Sequence, residues 1–179
     1  MFLATPAGEV RPFAGMSGAG GFLGDNGPAL QAVLNEPWGV ELDAAGNVFI
    51  ADAGNSRIRM VATNGVIGTV VGGGTGAVST KATESTLGSA TAIALDASGD
   101  LFIADTFNNR IQLVTHDGTI TTIAGTGSIG WSGDGGPAKN ASLHLPIGIA
   151  VGPRAEVYVA DYANHRVRRL VPSSTADAR

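Results

Sequence analysis

The sequence predicts an all-β protein: three four-stranded antiparallel sheets stacked side by side as propeller blades. Three observations carry this. One phrase occurs three times, as VFIADAGNSRIRMV at 48–61, LFIADTFNNRIQLV at 101–114 and VYVADYANHRVRRL at 157–170, spaced by 53 and 56 residues. Each copy reads as strand, short loop, strand. The strands are apolar on both alternating positions, as in VFIA and IGIAV, so both faces of each sheet need cover. Glycine, at 27 of 179 residues, is about twice its usual share, which fits many short strands joined by tight turns.

Composition narrows the function classes. A formal net charge of -4 gives no general attraction to nucleic acid or to an anionic membrane, and neither is expected as a partner. No stretch approaches the roughly 20 apolar residues of a membrane-spanning helix. The chain has no cysteine, which removes disulfides and thiolate metal sites but leaves the compartment open. Its first residues, MFLATPAGEV, lack a basic region and a long apolar run and do not read as a signal peptide. The expected location is cytoplasmic for the chain as given, and extracytoplasmic for one from which a signal peptide was removed.

In chain order, MFLATPAGEVRPFAG at 1–15 aligns with IQLVTHDGTITTIAG at 111–125. The N-terminus therefore reads as the end of one strand, a hairpin turn, and a following strand at 9–15 that is the outermost of a repeat. Next, GFLGDNGPALQAVLNEP at 21–37 returns as GWSGDGGPAKNASLHLP at 130–146. Glycine, aspartate and proline at these offsets mark a connector, with one short helical turn expected within 29–34. The first unit, about 37–72, then reads as WGVELD, NVFIAD, RIRMV and, after the hairpin signal Asn64-Gly65, VIGTVVG. The second, about 90–126, repeats this with Asp117-Gly118 as its turn. Its connector, 72–90, has lost the GDGGPA element. The third, about 146–172, supplies three strands, and 173–179 reads as a polar tail.

Four-stranded sheets repeating about every 55 residues and covered on both faces are the blades of a β-propeller. The phrase PWGVELDAAGNVFIADAGNSRIRMV, the GDGGPA connector and the closing TITTIAGTG resemble the NHL-repeat family, up to about Pro172. That resemblance implies a propeller, commonly six-bladed. Family members range from RNA-binding and protein-binding modules to sensor domains and lyases, so it implies no single activity.

Strand counting adds an expectation about assembly. A surplus outer strand at the N-terminus and a missing one in the third unit make three blades in a shifted frame. Three blades do not close, and six is the multiple of three within the usual four to eight. The expected assembly is a homodimeric six-bladed ring in which the N-terminal strand of each copy completes the last blade of the other.

Connectors and second-to-third strand loops should share one face, and any ligand, small molecule or protein, is expected there. The repeated sets Asp52, Asn55 and Arg57, then Asp105, Asn108 and Arg110, then Asp161, Asn164 and Arg166 are read as structural, since chemistry needed once need not recur in every blade. Asp52 is expected to cap its own loop and face Arg57, with Asn55 adopting the turn conformation. Positions that break the repeat are the ligand-binding candidates: Trp38, Glu41, Trp131, His144 and His165. Packing of both tryptophans under connectors is the plainer expectation for them. No histidine pair has metal spacing, so no metal, cofactor or catalytic residue is assigned. The leading function is a non-catalytic binding or scaffold module. Two alternatives remain: a metal-dependent hydrolase or lyase using Glu41 and His144 in the channel, and a piece of a longer NHL-repeat sensor.

Overall fold

The computed structural model describes residues 2–4, 8–16, 20–75 and 79–171. Its elements follow the strand pattern closely. A hairpin of β1 (Phe2–Ala4) and β2 (Val10–Pro12) comes first. The first sheet contains β3 (Gly27–Pro28), β4 (Pro37–Leu42), β5 (Val48–Asp52), β6 (Arg57–Val61) and β7 (Val66–Gly72), in the order β3-β7-β6-β5-β4. The second is β8 (Ala92–Leu95), β9 (Leu101–Asp105), β10 (Arg110–Val114) and β11 (Ile120–Ala124). The third is β12 (Pro146–Val151), β13 (Val157–Asp161) and β14 (Arg166–Leu170). Every pairing is antiparallel, and the inner strands β4, β8 and β12 lie side by side.

Two details depart from the simple four-strand scheme. The connector runs back along the outer edge of the first blade, and Gly27–Pro28 adds a short fifth strand against Val66 and Ile67. The second connector does the same more briefly, at Lys81 and Thr119. Short 3-10 turns at Ala29–Gln31, Ala82–Glu84 and Ala138–Asn140 then steer each connector toward the inner strand. On the opposite side, the tight turns place Gly65 and Gly118 at φ of +82°, a region that favours glycine.

Packing explains why both faces of the strands are apolar. Ala51, Ile58 and Val71 of the first blade meet Ile93, Leu101, Ile103 and Ile120 of the second. On the second blade's other face, Phe102, Ala104 and Ile111 meet Leu143, Val157 and Val159 of the third. A third cluster joins Ala14 and Phe13, beyond β2, to Leu34, Val48, Ile50 and Ile67. Each fully buried isoleucine contributes roughly 1.5–3 kcal/mol of transfer free energy.

The two ends of this arc have bare apolar surface, on the outer strand at the C-terminal end and on the inner strand at the N-terminal end. Val167 of β14 stands where the other blades have Ile58 and Ile111; it is 74% exposed and they are 0% exposed. Tyr158, at the place of Phe49 and Phe102, is exposed too. At the other end Val40 and Leu42 of β4 are exposed, although Ile93, which matches Val40, is buried. Among the described residues, the outer edge of β14 pairs with no strand.

The N-terminal hairpin refines the strand-exchange expectation. β1 pairs with β2 through Phe2–Pro12, Leu3–Arg11 and Ala4–Val10. This is the register in which β10 pairs with β11, through Gln112–Thr122, Leu113–Thr121 and Val114–Ile120. β1 therefore occupies on β2 the position that a partner's β14 would take, and exchange requires three residues of β1 to give way. The tail 173–179 lies outside the described residues.

Candidate functional site

The connector face is built by a bond that each blade repeats. The Asp at the end of the second strand accepts a backbone N–H from the connector, from Asn35 to Asp52 at 2.7 Å, Gly88 to Asp105 at 2.6 Å and His144 to Asp161 at 2.8 Å. Its other oxygen accepts the side-chain amide of Asn55, Asn108 or Asn164 at 2.8–2.9 Å. In return Gly54, Phe107 and Ala163 donate their N–H groups to the carbonyls of Asn35, Gly88 and His144. The Asp thus ties connector to hairpin.

This corrects the expected loop cap: the Asp side chains make no hydrogen bond to the backbone of the turns they precede. Asn55 takes the expected turn conformation within the 3-10 turn Ala53–Asn55, and the residue after each such turn is left-handed. These residues are Ser56, Asn109 and His165, with φ of 52°, 49° and 54°. Arg57 is the strand partner of Asp52 in register, but its guanidinium donates to the Asn55 carbonyl; the charge on Asp52 is met by Arg59 at 3.5 Å. In the second blade Arg110 does reach Asp105, at 2.7 Å.

Arg59 is fully buried and also pairs with Asp25 of the connector at 2.7 Å. Asp25 accepts the Thr69 hydroxyl as well, and the Phe22 ring lies 4.0 Å from the Arg57 guanidinium and 4.8 Å from that of Arg59. The third blade repeats the device. Arg168 pairs with Asp134, donates to the carbonyls of Ser132 and Ser142, and lies 3.7 Å from Asp161, while Trp131 covers Arg166 at 4.8 Å. The second blade has Gln112 where the others have Arg59 and Arg168, and its connector has lost the acid. The buried cation and the connector acid thus occur together in the first and third blades, and both are missing from the second. The sequence held that signal, in GDNGPA with Arg59 and GDGGPA with Arg168, but reading strand and connector separately missed it. Arg166 and Arg168 are thus both engaged by Asp134 of their own connector.

The repeat-breaking candidates are not gathered into one cluster. Trp38 and Trp131 are 65% and 64% exposed, so neither packs beneath a connector. Glu41 is half-buried in β4 opposite Phe49. His144 is held by its backbone bonds to Asp161 and Ala163, and His165 is an exposed turn residue. Among the described residues, no three His, Asp or Glu side chains converge to hold a metal. Sequence reading also missed Phe107, which is 67% exposed on the same face where the other blades have Gly54 and Ala163.

Titration separates the two faces. Burial pushes the Asp52 carboxyl above its ordinary 3.8, against the lowering effect of Asn55, the Asn35 N–H and Arg59. Asp117, in an exposed turn, is pulled down to about 2 by the Thr115 hydroxyl and the N–H and side chain of Thr119. The signs are opposite. Asp117 contributes stability above the ordinary value that is lost as pH falls toward about 2. Asp52 binds its proton more tightly when folded, so its contribution is present below the ordinary value and is lost as pH rises through its folded pKa. Carboxyl carbon shifts followed by NMR from strongly acidic to neutral pH should show Asp117 titrating first and Asp52 after an unperturbed carboxylate.

The comparisons with known proteins agree with this architecture. A family model described as the Teneurin NHL domain matches residues 19–77 and 73–171. Teneurin-1 of Mus musculus is 39% identical over 137 residues, which are 69% of this chain and 5% of that protein. Teneurin-4 of Homo sapiens is 38% identical over 135 residues, 68% of this chain and again 5% of that protein. The chain thus spans about one-twentieth of the length of these relatives. Among solved structures, a protein of unknown function from Bacteroides thetaiotaomicron superposes with a TM-score of 0.69 at 16% identity, covering 92% of this chain and 40% of that one. Virginiamycin B lyase from Staphylococcus aureus gives 0.53 at 17%, over 76% of this chain and 38% of the lyase. At such identities the likeness shows the β-propeller fold alone. With the repeat, the blades and the family match together, the chain belongs to the teneurin NHL domain family, whose NHL repeats form a β-propeller.

Proposed function

We propose that this chain is a non-catalytic binding or scaffold module: a propeller arc that presents its connector face to a ligand and is completed by docking of further blades on its two bare ends. The observation that carries the ring is the contrast between Val167 and its buried counterparts Ile58 and Ile111. Apolar faces that are dry between blades are liabilities at the ends, and so is the open edge of β14. Two copies would make six blades, with β2 of each completing the other's last sheet after displacing β1.

The binding reading is supported by what the repeated polar residues do. Asp52, Asp105 and Asp161 are fully buried and engaged in holding connectors, which leaves them no access to a substrate. The connector face exposes several aromatics, among them Trp38, Phe107, Trp131 and Tyr162. Aromatic side chains supply contact area at little entropic cost, as binding surfaces need.

Amide hydrogen exchange tests the closure. The outward N–H groups of β14 should be protected like those of β10, which pair with β11; exchange at the rate of unpaired amides at micromolar concentration contradicts two-copy closure. A second reading, in which the remaining blades belong to the same polypeptide, is favoured by the β1–β2 hairpin, already paired in blade register. Stoichiometric metal in freshly purified protein, lost in Glu41→Ala, would instead support the hydrolase or lyase alternative.

A further inference from the structure

The second blade carries a seat that the other two blades fill with their own connectors. In the first blade the run Gly21-Phe22-Leu23-Gly24-Asp25 lies over Asn55, Arg57 and Thr69. The Gly21 carbonyl accepts the Asn55 amide at 2.6 Å, Phe22 stacks on Arg57, and Asp25 takes the Thr69 hydroxyl. In the third blade Gly130-Trp131-Ser132-Gly133-Asp134 does the same over Asn164 and Arg166. Gly24 and Gly133 have φ of +94° and +97°, and a Cβ on either would lie 2.8 or 2.6 Å from the Cα of Ala32 or Ala141. The plug is therefore a defined shape: an aromatic residue, a glycine turn, and an acid three positions after the aromatic.

The second blade keeps the frame, with Asn108, Arg110 and Thr122 at the positions of Asn55, Arg57 and Thr69. Its connector, from Gly73 to Thr80, contains neither an aromatic nor an acid. A cavity of about 380 Å³ stands there, lined by Phe107, Asn108, Arg110, Thr122 and the Gly125–Gly127 backbone among others. Arg110 is partly exposed, and Phe107 offers an exposed ring that the filled seats lack. Gln112, in place of the buried arginine, accepts the Thr122 hydroxyl on its carbonyl oxygen beneath the cavity and carries no charge.

We propose that this seat binds a polypeptide segment of a partner protein that carries an aromatic residue three positions before an acid, the chemistry the chain itself uses in blades one and three. The aromatic lies against Phe107 and the Arg110 guanidinium, a main-chain carbonyl accepts from Asn108, and the acid meets Arg110. This rests on the connector face being the ligand face.

The probe is the chain's own third plug, the capped peptide GWSGDGG, titrated into the full chain and followed by amide NMR shifts. Saturable shifts at Phe107, Asn108, Arg110 and Thr126 are expected, with affinity falling at least about tenfold in Phe107→Ala, which trims a largely exposed side chain. A peptide with the tryptophan replaced by alanine should lose binding to a similar extent. Absence of saturable shifts, or equal binding by a scrambled peptide, overturns the proposal. Binding that survives Phe107→Ala and is lost in Trp38→Ala overturns the seat while leaving the connector-face reading intact.

Discussion

Replacing Arg59 by alanine is expected to lower the unfolding free energy by about 3–5 kcal/mol, because it strands a buried carboxylate without its cation. Asp52 is fully buried, and among the described residues Arg59 is the guanidinium that reaches its carboxylate. Arg168→Ala also leaves a buried carboxylate, Asp161, without its cation, but it should cost less because the Arg168 site is closer to water. Its side chain is 10% exposed, and its partner Asp134 is 65% exposed and can return to water. Denaturant melts of the two variants check the order. A double-mutant cycle between Arg59→Ala and Asp25→Ala should show strong coupling, since the two side chains are in contact.

The second large effect separates folding from closure. Ile111→Ala, inside the interface between the second and third blades, is expected to cost about 2–5 kcal/mol through lost burial and a residual cavity. Val167→Glu changes the matching position on the bare end. It should alter the stability of the separate arc by no more than about 0.5 kcal/mol, as an exposed substitution does. It should nevertheless prevent the end face from docking, because a carboxylate would then be buried against apolar surface. Thermal melts and solution mass, measured on both variants, distinguish the two roles.

Most of the architecture was legible because strand and turn signals are local. Asn64-Gly65 and Asp117-Gly118 name their own turns, and alternating apolar residues name the strands between them. What eluded sequence reading depends on contacts far apart in the chain. Asp52 was expected to bond the loop beside it, yet its partner is the Asn35 N–H, seventeen positions earlier. Arg57 does face Asp52 across the hairpin, but the guanidinium that reaches the carboxylate comes from Arg59, two positions further along the strand. The short β1 strand was read correctly as the end of a strand, but its pairing with β2 in blade register bears on closure and could not be weighed from spacing alone. On the connector face, comparing blade against blade drew attention to Trp38 and Trp131. Phe107 breaks the repeat in the same way, inside the repeated phrase where the other blades have Gly54 and Ala163, and only its exposure in the fold makes it stand out.

The central claim is that the bare ends of the arc dock, and the solution mass of this chain by light scattering at micromolar concentration tests it most directly. Two-copy closure predicts twice the 17.9 kDa of one chain for the native sequence and a single-chain mass for Val167→Glu. A native-sequence mass of 17.9 kDa would contradict it.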